Sequence, residues 1–263
     1  MNKVILAKVD KIEMRYYSFG HGKKIFVILP GLSFKHVTDN GPAIGEAYKQ
    51  FAKEYTVYLF DRRENMPDSY DTRAIAKDTV TVMKYLGIDK ADIFGTSQGG
   101  MIGQYIAIDY PQMVNKLILG STVCRLNDYA KSLFNKWLEF ATNKQIEQLI
   151  ANSIDLLYSE ETLKHYRDSL IKSNLDLSQE DLKRYIIMLK SALDFDSSKQ
   201  VNQINCDVLA IDCKGDRIFT YEGCADLLNF IPASHHTYGV EYSHCVYDEA
   251  NDYKDIMLDF LRK

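Results

Sequence analysis

The sequence predicts an α/β protein, in which a mostly parallel sheet of eight strands is flanked by helices and carries a helical insertion. Three observations lead to this fold class. Strand-like and helix-like segments alternate over residues 4–120, a glycine-rich pentapeptide joins a strand to a helix, and a long stretch of purely helical periodicity precedes the last two strands. Because parallel strands need crossover helices, this alternation is typical of a sheet covered on both faces.

The first part of the chain contains four strand-like and two helix-like segments. The strands are predicted at 4–9, 15–19, 24–29 and 56–60. A turn at 40–42, with proline near a helix start, predicts a helix over 43–53. Apolar residues at helical spacing predict a second helix over 71–86, which Asp71 or Thr72 would cap.

The pentapeptide Gly95-Thr96-Ser97-Gln98-Gly99 follows an apolar strand at 91–94 and opens a helix-like stretch at 100–110. A strand that turns sharply into a helix forces the central residue into strained backbone geometry and exposes its hydroxyl. Only very small side chains fit two residues away on either side, and Gly95 and Gly99 meet that demand. The pattern alone also occurs as a simple turn, but this context predicts that Ser97 is a catalytic nucleophile.

A helical insertion is predicted over residues 124–200. Pro111 ends the helix after the pentapeptide, a strand follows at 116–120, and no strand-like segment then appears until 207. Two apolar stripes at helical spacing lie in this region: Leu133, Trp137 and Phe140, and Leu182, Ile186, Leu189 and Leu193. Most of these side chains are expected to form the insertion's own core, and a few are expected to shape a substrate pocket above the serine.

The sheet pattern returns after the insertion. Its elements are a strand at 207–213, a helix at 222–230, a strand at 234–238 and a closing helix at 249–261. We therefore expect a core formed by residues 1–123 and 201–263 around the insertion at 124–200. Ligands of such sheets bind beyond the carboxyl ends of the strands, which is where the pentapeptide lies.

Composition and charge exclude several classes of protein. With 263 residues and a net charge of −4, the chain has no basic block of the kind that nucleic-acid binding requires. No apolar run approaches the roughly 18 residues of a membrane span. The first residues, 1–4, lead into a strand without a signal-peptide pattern. We therefore expect a cytoplasmic protein that binds neither nucleic acid nor membrane.

Neither the cysteines nor the paired histidines predict a metal site. The five cysteines are Cys124, Cys206, Cys213, Cys224 and Cys245. Their odd number and the lack of a C-x-x-C pair argue against disulfides and zinc. Cys245 lies beside His244 but not on a sharp turn, so it is a weak candidate nucleophile. His235 and His236 are adjacent on a strand and therefore point to opposite faces. No metal and no organic cofactor are expected.

Two further strand ends supply the partners that a serine nucleophile needs. Asp216 follows the strand at 207–213, and His244 follows the strand at 234–238. A serine hydroxyl needs an imidazole to remove its proton, and that imidazole needs a carboxylate to fix its tautomer. Asp212 and Glu241 are competing acids, but Asp212 lies within the strand and Glu241 is only three residues from His244.

These motifs resemble those of the α/β-hydrolase superfamily over nearly the whole chain. The elbow at Ser97, the Gly215-Asp216 loop, the late His244 and the segment 61–63 match the pattern of that family, whose order is nucleophile, acid, histidine. The resemblance implies that Ser97 is the nucleophile, Asp216 the acid and His244 the base. It also implies that the insertion is the family's helical cap.

The resemblance further implies an oxyanion hole made of the backbone N–H groups of Gln98 and Leu32. Gln98 directly follows the nucleophile, and Leu32 lies at the exit of the third strand. There the family commonly has His-Gly, whereas this chain has Pro30-Gly31, which removes a side-chain donor that would support the loop. Two further departures are Glu64-Asn65-Met66, where the family usually has glycines, and Ser243, which precedes His244.

The predicted function is a serine hydrolase that cleaves a small carboxylic ester or related acyl compound through an acyl-enzyme intermediate. A serine at the elbow argues against dehalogenase chemistry, which uses a carboxylate on this fold. Aminopeptidase, thioesterase, acyltransferase and carbon–carbon bond hydrolase activities would use the same triad, so the sequence leaves them open. A noncatalytic ligand-binding protein is the alternative from another class. Neither the substrate nor the oligomeric state can be read from the sequence.

Overall fold

A computed structural model describes residues 3–263. It contains one eight-stranded sheet in the order β1-β2-β4-β3-β5-β6-β7-β8. The strands are β1 (Val4–Val9), β2 (Ile12–Gly20), β3 (Lys24–Leu29), β4 (Tyr55–Arg63), β5 (Ala91–Thr96), β6 (Val114–Gly120), β7 (Asp207–Cys213) and β8 (Ser234–Tyr238). The predicted eight-stranded sheet flanked by helices is confirmed.

The sheet is antiparallel at one side and parallel elsewhere. β1 pairs with β2 and β2 with β4 in antiparallel register, while the other five strand pairs are parallel. Thr96 at the end of β5 lies opposite Gly120 on β6, which in turn lies opposite Ile211 on β7. The carboxyl ends of β5, β6, β7 and β8 therefore share one edge, where the loops that carry the predicted site residues emerge.

Ten α-helices surround or extend the sheet in the described chain. They are α1 (Gly41–Ala47), α2 (Thr72–Tyr85), α3 (Gln98–Asp109), α4 (Asp128–Thr142), α5 (Ile146–Leu157), α6 (Glu160–Asn174), α7 (Gln179–Leu193), α8 (Tyr221–Asp226), α9 (Val246–Glu249) and α10 (Tyr253–Arg262). Helices α2 and α3 bury residues such as Ile75 and Ile106 against one face of the sheet. Tyr48 and Phe51, which follow α1, and Tyr253 of α10 pack on the other face.

Several element boundaries differ from the predicted ones for local reasons. The predicted helix 43–53 is α1 followed by a short 3-10 turn at Lys49–Phe51, because Tyr48 leaves helical geometry (φ −106°, ψ 16°). The predicted closing helix 249–261 is divided into α9 and α10, because Ala250 is extended (ψ 123°). Strand β4 runs on to Arg63, so the segment 61–63 lies within the strand rather than after it.

Helices α4 to α7 form a continuous four-helix segment between β6 and β7, where the insertion was predicted. An isolated antiparallel bridge between Arg125 and Asp196 holds its two ends together. Buried side chains of α4 and α7, among them Trp137 and Leu189, belong to the same apolar cluster as α2 and α3. The segment is therefore packed onto the sheet domain rather than separated from it.

Candidate active site

Ser97 occupies the sharp turn between β5 and α3. It is a non-glycine residue in positive-φ geometry (φ 51°, ψ −122°), which is strained for an L-residue. Its N–H donates to the Gly120 carbonyl oxygen (2.9 Å), and its own carbonyl oxygen accepts from Thr122 Oγ1 (2.7 Å). The backbone of Ser97 is thus held on both sides by the end of β6 and the residues after it.

The two glycines that flank Ser97 are required by close backbone contacts. A Cβ atom on Gly99 would lie 2.0 Å from the Leu29 carbonyl oxygen, and one on Gly95 would lie 2.3 Å from the Gly99 carbonyl oxygen. Neither contact can relax by a side-chain rotation, because the neighbouring atoms belong to the backbone. The predicted elbow geometry is present in the structure.

Asp216 and His244 form a buried pair. His244 Nδ1 lies 2.8 Å from Asp216 Oδ2, and the two residues are 2% and 5% exposed, respectively. The second carboxylate oxygen, Oδ1, accepts from the N–H groups of Ile218 (2.7 Å) and Phe219 (3.0 Å). Burial raises the pKa of the Asp216 carboxyl, but His244 and these N–H donors outweigh that effect and lower it below its usual value.

This pair and Ser97 lie at the same sheet edge, because their loops leave neighbouring parallel strands. With the Nδ1 proton donated to an ionised Asp216, His244 Nε2 is left as a proton acceptor. Within residues 3–263, no hydrogen bond joins Ser97 Oγ to His244. Such bonds are often long in a free enzyme and shorten when substrate binds.

The two N–H groups predicted for an oxyanion hole belong to Gln98, which directly follows Ser97, and to Leu32 in the loop after β3. Gln98 is the first residue of α3, and neither its N–H nor that of Leu32 donates to a protein acceptor in the described chain. The loop that carries Leu32 passes close over the serine, since a Cβ on Gly31 would lie 3.1 Å from Ser97 Cβ. Both donors are therefore free to bind a developing negative charge.

Arg62 is a structural partner of this loop that the sequence did not reveal. Its Nη2 donates to the Pro30 carbonyl oxygen (2.7 Å) and to Gln98 Oε1 (3.3 Å). The residue is 3% exposed, and burial lowers the pKa of its guanidinium to about 10, so it keeps its charge at neutral pH. Arg62 thus connects Pro30, in the loop that carries Leu32, to the side chain of Gln98.

The side chain of Gln98 also ties the elbow to the four-helix segment. Its Nε2 donates to the Met188 carbonyl oxygen (2.7 Å) and to Ser191 Oγ (2.9 Å), both on α7. Gln98 is 1% exposed. Gln98 therefore supplies a predicted oxyanion donor from its backbone, while its side chain is bonded to α7 of the insertion.

A second set of contacts joins the four-helix segment to the histidine loop (residues 239–245). It involves the junction of α5 and α6 (residues 156–159) on one side and the flanks of His244 on the other. Ser243 Oγ donates to the Leu156 carbonyl oxygen (2.9 Å), Cys245 N donates to the Leu157 carbonyl oxygen (2.9 Å), Ser159 N donates to Glu249 Oε1 (2.9 Å), and Arg217 donates to the Tyr158 carbonyl oxygen. Both neighbours of His244 are therefore fixed by the insertion.

The competing candidates from the sequence have other partners. Asp212 pairs with His235 (2.9 Å) rather than with His244, and Glu241 is exposed. Burial raises the pKa of the Cys245 thiol well above its usual value, which makes it a poor nucleophile. Glu64 lies 2.6 Å from Arg15, in an ion pair. Residues 3–263 contain no cluster of three or more metal-ligating side chains.

No helix in the described part of the chain combines the length and apolar character that a membrane crossing requires.

Known proteins with similar sequences are hydrolases. The chain is 28% identical over 155 residues to the human serine hydrolase BPHL, a match that covers 54% of this chain and 52% of the human protein. It is 20% identical over 217 residues to 3-oxoadipate enol-lactonase 2 of Acinetobacter baylyi, covering 80% and 78% of the two chains. The match to the human protein thus spans only about half of that protein's length.

The fold has close counterparts among solved structures. The α/β hydrolase enzyme MGS-M2, from a Medee basin deep-sea metagenome library, superposes with a TM-score of 0.88 at 20% identity, over 98% of both chains. A model of the alpha/beta hydrolase fold matches residues 28–236, which include Ser97 and Asp216. The chain therefore belongs to the alpha/beta hydrolase fold family.

Proposed function

We propose that this protein is a serine hydrolase that cleaves a small carboxylic ester or related acyl compound through an acyl-enzyme intermediate. The observation that carries the proposal is the buried His244–Asp216 pair, at 2.8 Å, beside a serine held in strained geometry on the same sheet edge. An imidazole oriented by a carboxylate is the group that makes a serine hydroxyl nucleophilic at neutral pH.

The chemistry follows from the roles of these groups. Asp216 keeps the Nδ1 proton on His244, so Nε2 takes the Ser97 proton as the oxygen attacks the acyl carbon. The N–H groups of Leu32 and Gln98 stabilise the negative charge on the acyl oxygen. His244 then returns the proton to the leaving group and afterwards activates the water that hydrolyses the acyl-enzyme.

We also propose that residues 124–200 act as a cap over a core formed by 1–123 and 201–263. The support is that α7 contacts Gln98 and that residues 156–159 contact both flanks of His244. Ser97 is 9% exposed and His244 is 2% exposed. A substrate would therefore reach Ser97 by passing between the cap and the core.

The names of the relatives agree with an acyl substrate, since an enol-lactone is a cyclic ester. Thioesters, amides and activated carbon–carbon bonds would use the same residues, and ester cleavage is the simplest reaction that the site supports. The proposed partner is a small molecule. The cytoplasmic location stays a prediction.

A fluorophosphonate probe tests the nucleophile, because it labels only an activated serine. We expect the wild-type protein to be labelled and Ser97→Ala to remain unlabelled. Ser198→Ala is a matched control, since the Ser198 hydroxyl binds Asp196 instead of facing the site. Absence of labelling in the wild type, or equal labelling of Ser97→Ala, would remove Ser97 from the mechanism.

Substitution of the base tests the rest of the triad. His244→Ala should lower kcat for a 4-nitrophenyl ester by on the order of 10³-fold while the thermal unfolding transition is retained. Near-normal turnover in a folded His244→Ala protein would contradict the proposed role of His244.

A further inference from the structure

A cavity of about 180 Å³ lies directly beside the elbow. Its wall includes the loop at 30–33, which carries the proposed oxyanion donor, and Thr96, which precedes the proposed nucleophile. The remaining lining residues are Ile28, Val37, Ile44, Tyr48, Leu59, Phe94, Tyr247 and Asp248. Most of the wall is apolar, and it lies on the α1 side of the sheet.

The position of the cavity assigns it to one half of the substrate. The leaving group of an ester must face His244, because His244 gives it a proton. His244 does not line the cavity, whereas Gly31, Leu32 and Thr96 do. Ser97 does not line the cavity either, but Gly31 adjoins it, since a Cβ on Gly31 would lie 3.1 Å from Ser97 Cβ and 3.7 Å from Ser97 Oγ. The cavity therefore lies beside the serine on the side of the oxyanion loop, which is the side that the acyl chain would occupy.

The size of the cavity limits the length of that chain. An apolar cavity of about 150 Å³ is large enough to hold benzene, which has six carbon atoms. A volume of about 180 Å³ therefore accommodates an acyl group of about six carbons, with apolar walls that favour hydrocarbon.

The charge of the cavity limits the chemistry of the acyl group. Asp248 is the one charged residue among those lining it. The residue is exposed, but burial of its carboxyl group raises its pKa to about 6 against the opposing effect of Lys254, so it carries its negative charge at pH 8. The nearest cation known from the contacts is Lys254, which donates to the Tyr247 carbonyl oxygen, lies 5.5 Å from the centre of the Tyr48 ring and does not line the cavity. A carboxylate at the end of the acyl chain would thus meet a like charge.

We infer that this protein selects esters of short, uncharged aliphatic acids of up to about six carbons, with Ile44 limiting the length and Asp248 disfavouring dicarboxylic half-esters. The inference rests on the proposed function, because it concerns the acyl half of that reaction. It names a substrate class that is narrower than small acyl compounds.

The length limit is tested with 4-nitrophenyl acetate, butyrate, hexanoate and octanoate. We expect kcat/KM to rise to the butyrate or hexanoate and to fall at least about tenfold for the octanoate, in line with the usual discrimination by pocket size. Ile44→Phe should fill part of the cavity and lower kcat/KM for the hexanoate about tenfold, with the acetate changed less than about threefold. Ala43→Phe on the same helix is the control, because Ala43 is exposed and does not line the cavity.

The charge limit is tested with two esters of equal chain length, 4-nitrophenyl valerate and the 4-nitrophenyl half-ester of glutaric acid. The wild type should have the higher kcat/KM for the valerate. Asp248→Asn should raise kcat/KM for the half-ester about fivefold, which is the size of effect expected from one like charge at the edge of a solvent-accessible cavity. High salt should reduce the wild-type preference, since salt screens exposed charges.

The inference is overturned if Ile44→Phe lowers activity equally for all four acyl chains, or if it changes the preference among acetate esters of different alcohols instead. It is equally overturned if Asp248→Asn leaves the ratio between the two esters unchanged at low salt. Failure of the proposed function itself looks different, because all of the ester hydrolysis would then survive in Ser97→Ala.

Discussion

The elbow (residues 95–99) and the histidine loop (residues 239–245) carry the two halves of the proposed site, and they are held in different ways. The elbow is positioned mainly by residues at the ends of neighbouring strands: Ser97 N–H donates to the Gly120 carbonyl oxygen, Thr122 Oγ1 donates to the Ser97 carbonyl oxygen, and Gly99 packs on Leu29. The histidine loop is positioned largely by side chains and by the junction at 156–159 of the cap.

This difference assigns two roles to the two parts of the chain. The backbone of Ser97 is held by contacts within one sheet edge, and the side chain of Gln98 adds a connection to α7. Both neighbours of His244 are bonded to the junction at 156–159 of the four-helix segment. We therefore expect changes in the backbone packing of the elbow to act mainly on folding, and changes in the side chains that hold the oxyanion loop or the junction at 156–159 to act on turnover.

The largest expected effect is that of Gly99→Ala. The new Cβ would lie 2.0 Å from the Leu29 carbonyl oxygen, and a backbone atom cannot move away without shifting β3. We expect a loss of about 4 kcal/mol or more in the free energy of unfolding, at the upper end of single substitutions, measured by urea denaturation.

Gly103→Ala is the matched control, because its Cβ would meet the flexible Leu117 Cδ1 at 3.2 Å and because alanine favours a helix over glycine by up to about 1 kcal/mol. Equal stability of the two variants would show that close packing does not hold the elbow.

Arg62→Met is expected to have the next largest effect, and it tests a side chain that supports the elbow and the oxyanion loop together. Without the hydrogen bonds from Arg62 to Pro30 and Gln98, the loop with Leu32 is free to shift, and small misplacements at a reaction centre cost up to about 100-fold in rate. We expect kcat to fall 10-fold to 100-fold with KM changed little, because the oxyanion donors act in the transition state.

Arg63→Met provides the comparison for Arg62. Arg63 ends the same strand but forms an ion pair with Asp78 (3.0 Å) and does not contact the oxyanion loop. Arg63→Met should lower the free energy of unfolding but leave kcat unchanged. A similar fall in kcat in both variants, or a change confined to KM in Arg62→Met, would contradict the positioning role of Arg62.

The same contrast explains what the sequence could predict. The roles of Ser97, Asp216 and His244 are predictions from their order and from their places after strands, because strand ends of a parallel sheet meet at one edge. The structure brings Asp216 and His244 to 2.8 Å of each other. Strands β1, β3, β7 and β8 have the predicted bounds, since short apolar segments between turn residues define them locally.

The contacts of Arg62 and Glu249 could not be predicted, because their partners lie 32 and 90 positions away along the chain. Such contacts depend on how the cap helices pack on the core, and apolar stripes fix which face is buried but not the partner of each polar group. The cavity beside the elbow could not be predicted from the sequence either, since its wall combines residues from five strands and helices with the loops between them.

A smaller effect is expected for Glu249→Gln, which breaks one connection between the cap and the histidine loop. Glu249 accepts from Ser159 N (2.9 Å) and Ser243 N (3.5 Å), and an amide group would place a donor against one of these N–H groups. We expect a loss of about 1 kcal/mol in stability and a fall of threefold to tenfold in kcat. Glu161→Gln on α6, which is exposed and pairs with His165, should leave both unchanged. Unchanged kcat in Glu249→Gln would show that the cap does not orient His244 through this residue.

The smallest expected effect is the pH dependence that Asp216 gives to stability. Its folded-state pKa is lowered, so the unfolded chain takes up the proton at higher pH than the folded protein does, and acid therefore favours unfolding. With an unfolded pKa near 3.9, the stability that the carboxylate contributes is fully present at pH 6 and decreases as the pH falls below about 4. Asp216→Asn has no carboxyl group to titrate, so the difference between its free energy of unfolding and that of the wild type should narrow as the pH is lowered from 6 to 3.5. Urea denaturation at several pH values measures the difference, and a gap that stays constant or widens in acid would mean that Asp216 is not held as a carboxylate beside His244. Because the histidine half depends on this charge and the elbow half does not, Ser97→Ala should follow the wild type across the whole range.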